Sequence, residues 1–252
     1  MLVHVIVAEL GKLFDISSRK SHWIMSLFAI FKYLFLFYLV SSYKSLPGAY
    51  FVRFFWAAFP SYLLPRLLGI RETENIKKLQ RNKYGCFAHA TTSTYVSPFE
   101  VDFYLHKSNS TYFEELDFNR TALMTRIFQK LGLEKGLPYI PVANVFTNFL
   151  KEIKPFEKYQ ITSVILCWDQ KWIYIMSRYT KKNGKVLCSL SLTKYVLKEG
   201  RKTVPPRVAL EYCGLYNEEA AEISERNLKF LSKSGFDNTV ELENLEHSYM
   251  KL

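Results

Sequence analysis

The sequence predicts an α+β fold, in which one long helix is wrapped by a strongly bent antiparallel sheet and preceded by an N-terminal membrane-anchoring helical segment. Three observations predict it: an aromatic-rich apolar stretch before residue 70, an apolar stripe of helical period between Phe113 and Leu131, and four strand-like segments after that stripe. The 252 residues are 49% hydrophobic, enough for one sizeable core and an appendage. We therefore expect a membrane-anchoring region (1–70), a charged connector (71–83), one domain (84–210), and a C-terminal helix with its tail (211–252).

The formal net charge of +11 suits an anionic partner such as a phosphate-bearing ligand, a nucleic acid or an anionic lipid. Nucleic acid is disfavoured, because the positive charge is spread along the chain and the aromatic residues fall in apolar runs. The cysteines are widely spaced and form no CxxC pair, which indicates neither a zinc site nor a disulfide framework. We expect no metal, and reduced thiols in the core at Cys86, Cys167, Cys188 and Cys213.

The stretch from Trp23 to Val40, WIMSLFAIFKYLFLFYLV, has about the length that crosses a hydrocarbon core as a helix. Lys32 opposes this, because a lysine near the centre of a span costs about 2.5 to 3.5 kcal/mol on insertion scales. The surrounding leucine and aromatic residues can outweigh that cost, so we predict a membrane span here.

A second apolar stretch, from Leu46 to Leu68, contains Pro60 and Pro65, which would break a spanning helix. Arginines among its aromatic residues suit a segment at the membrane interface, with the basic groups reaching lipid phosphates. An amphipathic helix that covers the soluble domain is the alternative.

From Tyr84 the sequence is strand-like as far as a polar turn within PFEVDFYLHKSNSTYFEELDFNR (98–120). The helical stripe then predicts a helix of about six turns that starts directly after this turn. Asn109 and Ser110 are good N-cap residues, and Gly132 or Gly136 can end the helix. We expect the acidic residues of its first turns to be solvated partners of the helix dipole, namely Glu114, Glu115 and Asp117.

Four strand-like segments follow, separated by short connections at Pro155, at Asp169–Gln170 and before Gly184. The Asn183-Gly184 pair readily adopts positive φ and predicts a hairpin turn. Four consecutive antiparallel strands with tight turns form a meander, and the long helix must pack on one face of it.

The order of a strand, a turn, a long helix and four strands resembles the hot-dog fold. The turn is similar to the signature of a hot-dog family of acyl-CoA thioesterases, the 4-hydroxybenzoyl-CoA thioesterase-like family. The signature has Asp, His, Asn and Tyr at fixed spacings, which Asp102, His106, Asn109 and Tyr112 match, and Glu100 stands where the family often has an acidic residue. The apolar N-terminal region and the segment from Leu150 to Tyr179 resemble the membrane-anchored thioesterase-superfamily members of the endoplasmic reticulum and their uncharacterised fungal counterpart.

Thioester hydrolysis needs a carboxylate and donors aimed at the oxyanion, which a strand end and a helix N-terminus can supply. The resemblance implies that Asp102 is the catalytic base or nucleophile and that the Asn109 backbone N–H is the oxyanion donor. It also implies a homodimer. We expect His106 and Tyr112 to shape the substrate pocket and Lys107 to meet the phosphates of coenzyme A. Coenzyme A is part of the substrate, so no separate cofactor is expected.

The same residues have simpler interpretations, in which Asp102 caps the turn, Asn109 caps the helix and His106 is a satisfied core histidine. Two positions also depart from the family pattern: Ser108 precedes Asn109 where an Asn-Asn pair is usual, and Lys107 replaces a small apolar residue. Two functions therefore stay open. One is a membrane-anchored thioesterase of lipid metabolism that hydrolyses fatty acyl-CoA. The other is a non-catalytic hot-dog module that binds acyl-CoA, lipid or a protein partner at the membrane.

Asn109 and Asn119 each begin a glycosylation sequon, yet both fall in the site turn or on the helix that should be buried. A cytosolic domain, in which sequons are silent, fits this arrangement, as does a luminal domain that folds before modification. Lys44 and Arg53 after the apolar run agree with the cytosolic choice, although Lys12, Arg19 and Lys20 precede the run. We expect the endoplasmic reticulum membrane as the location, with the hot-dog domain in the cytosol.

Overall fold

The computed structural model of the protein describes residues 26–234, 241–242, 245 and 249–252. The chain divides into two units between Tyr43 and Lys44. In the first unit, helix α1 covers residues 26–41, and its large apolar side chains are mostly exposed. Within the described part of the chain, no helix combines the length and the apolar character needed to cross a membrane. The predicted span begins at Trp23, which lies outside the described residues.

The second unit begins with helical segments that precede the first strand. They are α2 (Ala49–Ala58), a short π-helix (Phe59–Leu63), α3 (Leu64–Leu67) and α4 (Glu74–Arg81). α4 begins after Thr73, whose hydroxyl accepts the N–H of Ile76, and it buries Ile76 and Leu79. The segment from Lys44 onward, including the charged connector, belongs to one unit with the domain.

The long helix predicted after the polar turn is present as α5 (Asn109–Ile127), and a break at Phe128 separates it from α6 (Gln129–Lys135). Gly136, with a φ of 95°, follows the end of α6, in agreement with one of the two predicted stops. The predicted stripe faces the core, where Leu116, Leu123 and Ile127 are buried.

α2 packs against α5 and has two different faces. On the inner face, the guanidinium of Arg53 lies 4.2 Å from the ring centre of Phe118. The outer face carries exposed large apolar side chains, namely Phe51, Val52, Phe55 and Trp56. The inner face thus matches the interpretation of this stretch as an amphipathic helix covering the domain, and the outer face stays open to solvent in the described chain.

One mixed sheet contains the seven strands found among the described residues. They are β1 (Ala88–Tyr95), β2 (Val142–Phe149), β3 (Lys158–Trp168), β4 (Trp172–Lys181), β5 (Val186–Glu199), β6 (Lys202–Val204) and β7 (Met250–Lys251). The strand order is β2–β5–β4–β3–β1–β7, with β6 paired to β5. The β1–β7 pair is parallel and the other pairs are antiparallel. The structure therefore has the predicted class, α+β with an essentially antiparallel sheet.

The predicted four-strand meander is wrong in one respect. β3, β4 and β5 are sequential neighbours, but β2 pairs with β5 rather than with β3. The residues between β2 and β3 are too many for a tight hairpin, and the carbonyl of Ile153 among them accepts the N–H of Lys107 (2.9 Å). The predicted turn before β5 is confirmed, since Asn183 and Gly184 have φ values of 55° and 86°.

α5 contacts the sheet through two buried polar side chains. Asn119 Nδ2 donates to the carbonyl oxygens of Ala90 (3.3 Å) and Ile161 (3.1 Å). Arg120 Nη1 donates to Thr193 Oγ1 (2.5 Å). Because Asn119 is fully buried, its sequon is inaccessible in the folded domain.

Two C-terminal helices, α7 (Pro206–Cys213) and α8 (Glu218–Ser234), complete the described fold. α8 packs on the end of β3, where Asn227 Nδ2 donates to the Leu166 carbonyl (2.9 Å). All four cysteines are free and buried, as expected. Burial raises the thiol pKa of Cys86 to about 12 and that of Cys213 to about 11.

Candidate active site

The polar turn between β1 and α5 closes on itself. After β1, a short 3-10 helix (Pro98–Glu100) is held by a capping box, in which the Ser97 N–H donates to Glu100 Oε2 (2.7 Å). The Asp102 N–H then donates to the His106 carbonyl (3.0 Å), and Leu105 between them has a φ of 59°. This local hydrogen bonding brings two of the predicted site residues, Asp102 and His106, together.

The carboxylate of Asp102 is partly exposed, with 27% of the side chain accessible. Its Oδ1 accepts the N–H of Tyr104 (2.9 Å), and its Oδ2 lies 3.5 Å from Nδ1 of His106. The His106 ring stacks on Tyr104, and its Nδ1 is also 3.3 Å from the Lys107 carbonyl. One carboxylate oxygen is therefore fixed by the turn, and the other faces an imidazole that can orient it.

Asn109 is the first residue of α5, and it is exposed. Ser108 is the N-cap, and within the described chain its side chain makes no capping hydrogen bond. The Ser108 N–H donates to the Glu100 carbonyl (2.7 Å), which fixes the entry into the helix. Because the first amides of a helix have no intrahelical acceptor, the Asn109 N–H is available to an anion at the positive end of the dipole.

Lys107 is predicted to contact the phosphates of coenzyme A, which requires an exposed ammonium, but the side chain is buried. It is 1% exposed, and its ammonium contacts Glu100 Oε1 (2.7 Å) and Thr111 Oγ1 (3.0 Å). The ammonium also lies over the ring of Tyr112, 5.3 Å from the ring centre. In this arrangement a coenzyme A phosphate cannot reach Lys107, because the side chain points into the protein and its charge is matched by Glu100.

Tyr112 is buried in a second, smaller apolar cluster together with Leu116 and Ile161. Its ring lies 4.8 Å from that of Tyr179, and its carbonyl accepts the Tyr179 hydroxyl (2.6 Å). Burial raises the pKa of the Tyr112 phenol well above its usual range, so the group stays protonated. Its position suits packing behind the turn, and its phenol is not a candidate base.

A cluster of five charged residues lies behind the turn, and we call it the charge network: the buried Lys44, Glu100, Lys107 and Glu115, and the partly exposed Arg53. Lys44 Nζ bridges Glu100 Oε2 (2.7 Å) and Glu115 Oε1 (2.9 Å). Arg53 binds both oxygens of Glu115 at 2.8 and 2.7 Å. Each buried carboxylate thus has two cationic partners, which buried charges need.

The sequence pattern does not predict this network, because it places Glu115 among solvated residues and Lys44 and Arg53 in a membrane-anchoring region. One signal was available for Glu115. It precedes Asn119 by four residues and Leu123 by eight, so it lies on the buried stripe of α5. A carboxylate on such a stripe requires a cation from another segment, and basic residues inside an apolar stretch are candidates for that cation.

The pKa of Glu100 is lowered by its neighbours. Burial alone would raise it, but the ammonium groups of Lys107 and Lys44 outweigh burial and hold it below its usual range. Glu100 is therefore ionised at neutral pH. It is a fixed structural anion and not a second catalytic base.

A cavity of about 520 Å³ adjoins the charge network and the first turn of α5. Its lining includes five polar residues (Lys44, Ser45, Glu100, Thr111 and Glu114) and four apolar or aromatic ones (Leu46, Pro47, Tyr50 and Phe99). Glu114 is half-buried, and burial raises its pKa above the usual value. The lining contains none of Asp102, His106 and Asn109, so the cavity adjoins the charge network and not the candidate catalytic groups.

The chain is similar to several known proteins. The model of the thioesterase-like superfamily matches residues 96–210. A probable thioesterase of Saccharomyces cerevisiae is 65% identical over 227 residues, which cover 89% of this chain and 98% of that protein. Protein THEM6 of Xenopus laevis is 33% identical over 86 residues, covering 33% of this chain and 41% of that protein. A solved 1,4-dihydroxy-2-naphthoyl-CoA thioesterase from Synechocystis aligns with a TM-score of 0.42 and 9% identity, over 52% of this chain and 98% of that one.

Proposed function

The chain belongs to the thioesterase-like superfamily, and on that basis we propose that it hydrolyses the thioester of fatty acyl-CoA. The observation that carries the proposal is a partly exposed carboxylate, Asp102, in the hydrogen-bonded turn that leads directly into the N-terminus of α5 at Asn109. The products of the reaction are a fatty acid and free coenzyme A. The acyl chain and the coenzyme belong to the substrate, so the reaction needs no separate cofactor.

The proposed mechanism uses the side chains of the turn directly. Asp102 either takes a proton from a water that attacks the thioester carbonyl or attacks that carbonyl itself, with water then releasing the acyl group. The Asn109 N–H donates to the oxygen on which negative charge develops. The thiolate of coenzyme A leaves and is protonated. His106 keeps the free oxygen of Asp102 oriented through its Nδ1, 3.5 Å away.

We also propose that the protein acts at a membrane, namely the endoplasmic reticulum, with its domain in the cytosol. Support comes from the exposed apolar side chains of α1 and of the outer face of α2, which include Phe28, Phe55 and Trp56. The net charge of +11 favours an anionic surface. The resemblance also implies a homodimer, and β2 lies at one edge of the described sheet.

A second function is favoured by one observation on the turn itself. Its tip exposes three consecutive large apolar side chains, Phe103, Tyr104 and Leu105, at 93%, 77% and 74%. Such a tip suits binding of lipid or of a protein partner, and a non-catalytic module would use it without turnover.

The first test measures turnover by the full-length protein, purified in detergent, across a panel from butyryl-CoA to stearoyl-CoA. We expect release of free coenzyme A, with a preference for one part of the panel because a largely pre-formed binding site accommodates some acyl-chain lengths better than others. Thiol release at the rate of a buffer blank for every chain length would contradict the enzymatic proposal. Binding without turnover, measured by calorimetry on the same panel, would support the binding module instead.

The sequons provide a test of the proposed topology. Asn109 is exposed and Asn119 is buried, so only Asn109 is accessible on the folded domain. If the domain is cytosolic, endoglycosidase treatment of the protein expressed in yeast leaves its electrophoretic mobility unchanged. A variant with an added sequon at the exposed Lys182–Gly184 turn serves as the control, because it reports luminal exposure independently of the site. A mobility shift in either protein would contradict the cytosolic location.

A further inference from the structure

Lys44 is a lysine enclosed by the domain although it lies just after the apolar helix in sequence. It is 1% exposed, and its ammonium contacts Glu100 and Glu115 as described, together with Thr94 Oγ1 (3.2 Å). The ammonium also lies 5.2 Å from the ring centre of Tyr95 and 5.7 Å from that of Tyr159. Every contact of its charged end is therefore with β1, β3, the site turn or α5.

Glu100 links Lys44 to the turn that carries Asp102. Its carboxylate binds Lys44 through Oε2 and Lys107 through Oε1, both at 2.7 Å. Its carbonyl accepts the Ser108 N–H, so the same residue fixes the N-cap of α5. Glu100 therefore fixes both ends of the turn. Glu100 itself lies two residues before Asp102, and its hydrogen-bond partner Ser108 lies one residue before Asn109.

We propose that Lys44 is a positioning residue of the candidate active site. Its ammonium keeps Glu100 ionised and in place, and Glu100 in turn fixes the geometry between Asp102 and the N-terminus of α5. This inference rests on the proposed thioesterase function and adds to it a residue from the segment before α2, outside the region that the family model matches.

The charges around Glu100 explain why Lys107 alone is not enough to keep Glu100 ionised and in place. Lys107 neutralises one oxygen of Glu100, and Arg53 neutralises Glu115, which faces Glu100 from α5 on the other side of Lys44. Without Lys44, two buried carboxylates would face each other with no cation between them. Mutual repulsion would then favour rearrangement of the turn or protonation of Glu100.

The test compares Lys44→Met, which keeps the length of the side chain but not its charge, with Lys44→Arg, which keeps the charge. Lys77→Met is the matched control, because it removes an exposed lysine paired only with surface glutamates. For Lys44→Met we expect kcat on the acyl-CoA panel to fall about 10- to 100-fold, the range that a small misplacement of catalytic groups produces. KM should change little, and Lys44→Arg and Lys77→Met should keep kcat near the wild-type value.

The pH profile gives a readout that loss of stability alone would not move. In the wild type the pKa of Glu100 is held below its usual range, so the ionised form is present at neutral pH and is lost only as pH falls through that lowered value. Removal of the Lys44 ammonium raises the pKa of Glu100. The acid limb of the kcat profile is therefore expected to move to higher pH in Lys44→Met.

Hydrogen–deuterium exchange separates this inference from the proposed function, because it requires no turnover. In Lys44→Met we expect faster exchange at the amides of Lys107 and Ser108, with unchanged protection in β3, β4 and β5. If exchange changes in this way but neither the wild type nor any variant hydrolyses acyl-CoA, the thioesterase proposal is overturned and the role of Lys44 in positioning the turn is kept. Unchanged exchange in the turn would overturn the inference, and so would loss of protection throughout the sheet, because Lys44 would then support the whole fold.

Discussion

Replacement of Asp102 by alanine is expected to lower kcat for acyl-CoA hydrolysis by roughly 10²- to 10⁴-fold, the contribution of a positioned acid or base. The reason is that Asp102 is the partly exposed carboxylate of the turn, with one oxygen held by the Tyr104 N–H and the other left facing His106. Thiol release by the full-length protein measures the effect, and KM separates loss of chemistry from loss of binding.

Asp102→Asn sharpens the comparison, because its amide oxygen can still accept the Tyr104 N–H while the negative charge is gone. We expect it to be as inactive as Asp102→Ala and as stable as the wild type. Glu152→Ala is the control, since it removes a carboxylate that is largely exposed. A fully active Asp102→Ala variant would exclude Asp102 as the catalytic carboxylate, and Glu114 beside the cavity would become the next candidate.

Deletion of residues 1–70 is expected to destabilise the domain severely. This deletion removes Lys44 and Arg53, so the buried Glu115 keeps neither of its ion-pair partners and Glu100 keeps only Lys107. Leaving a buried charge without its partner costs roughly 3 to 5 kcal/mol, and total stabilities are only about 5 to 15 kcal/mol. Loss of α2 also exposes the face of α5 on which it packs. Circular dichroism during urea unfolding measures the outcome.

Deletion of residues 1–43 is the matched comparison, because it removes the apolar helix and leaves the charge network complete. We expect this shorter deletion to unfold at nearly the urea concentration of the full-length protein measured in the same detergent. Equal stability of the two deletions would mean that the network contributes little to folding. It would also restore residue 70 as a usable domain boundary.

The sequence predicted the features of the site that depend on neighbouring residues. The spacing of Asp102, His106 and Asn109 defines the turn, and the structure joins the first two in one hydrogen-bonded loop directly before α5. The stripe through Leu116, Leu123 and Ile127 likewise determines which face of α5 is buried. These predictions required no knowledge of distant pairings.

The predictions that failed depended on residues far apart in the chain. Lys107 is predicted to meet the phosphates of coenzyme A, but its side chain is buried against Glu100, Tyr112 and Tyr159. The strand order failed similarly, because alternation of side chains identifies β2 as a strand without indicating that it pairs with β5. Glu115 was assigned to solvent because its partners lie more than sixty residues earlier.

The four buried cysteines can report which part of the protein opens first. Cys188 lies in the small cluster beside Tyr112 and Tyr179, whereas Cys86 and Cys167 lie in the main core. Because burial keeps these thiols protonated, a maleimide can modify each one only when the surrounding structure opens. The order in which the cysteines are labelled therefore distinguishes loosening around the site from unfolding of the whole domain, without any added probe.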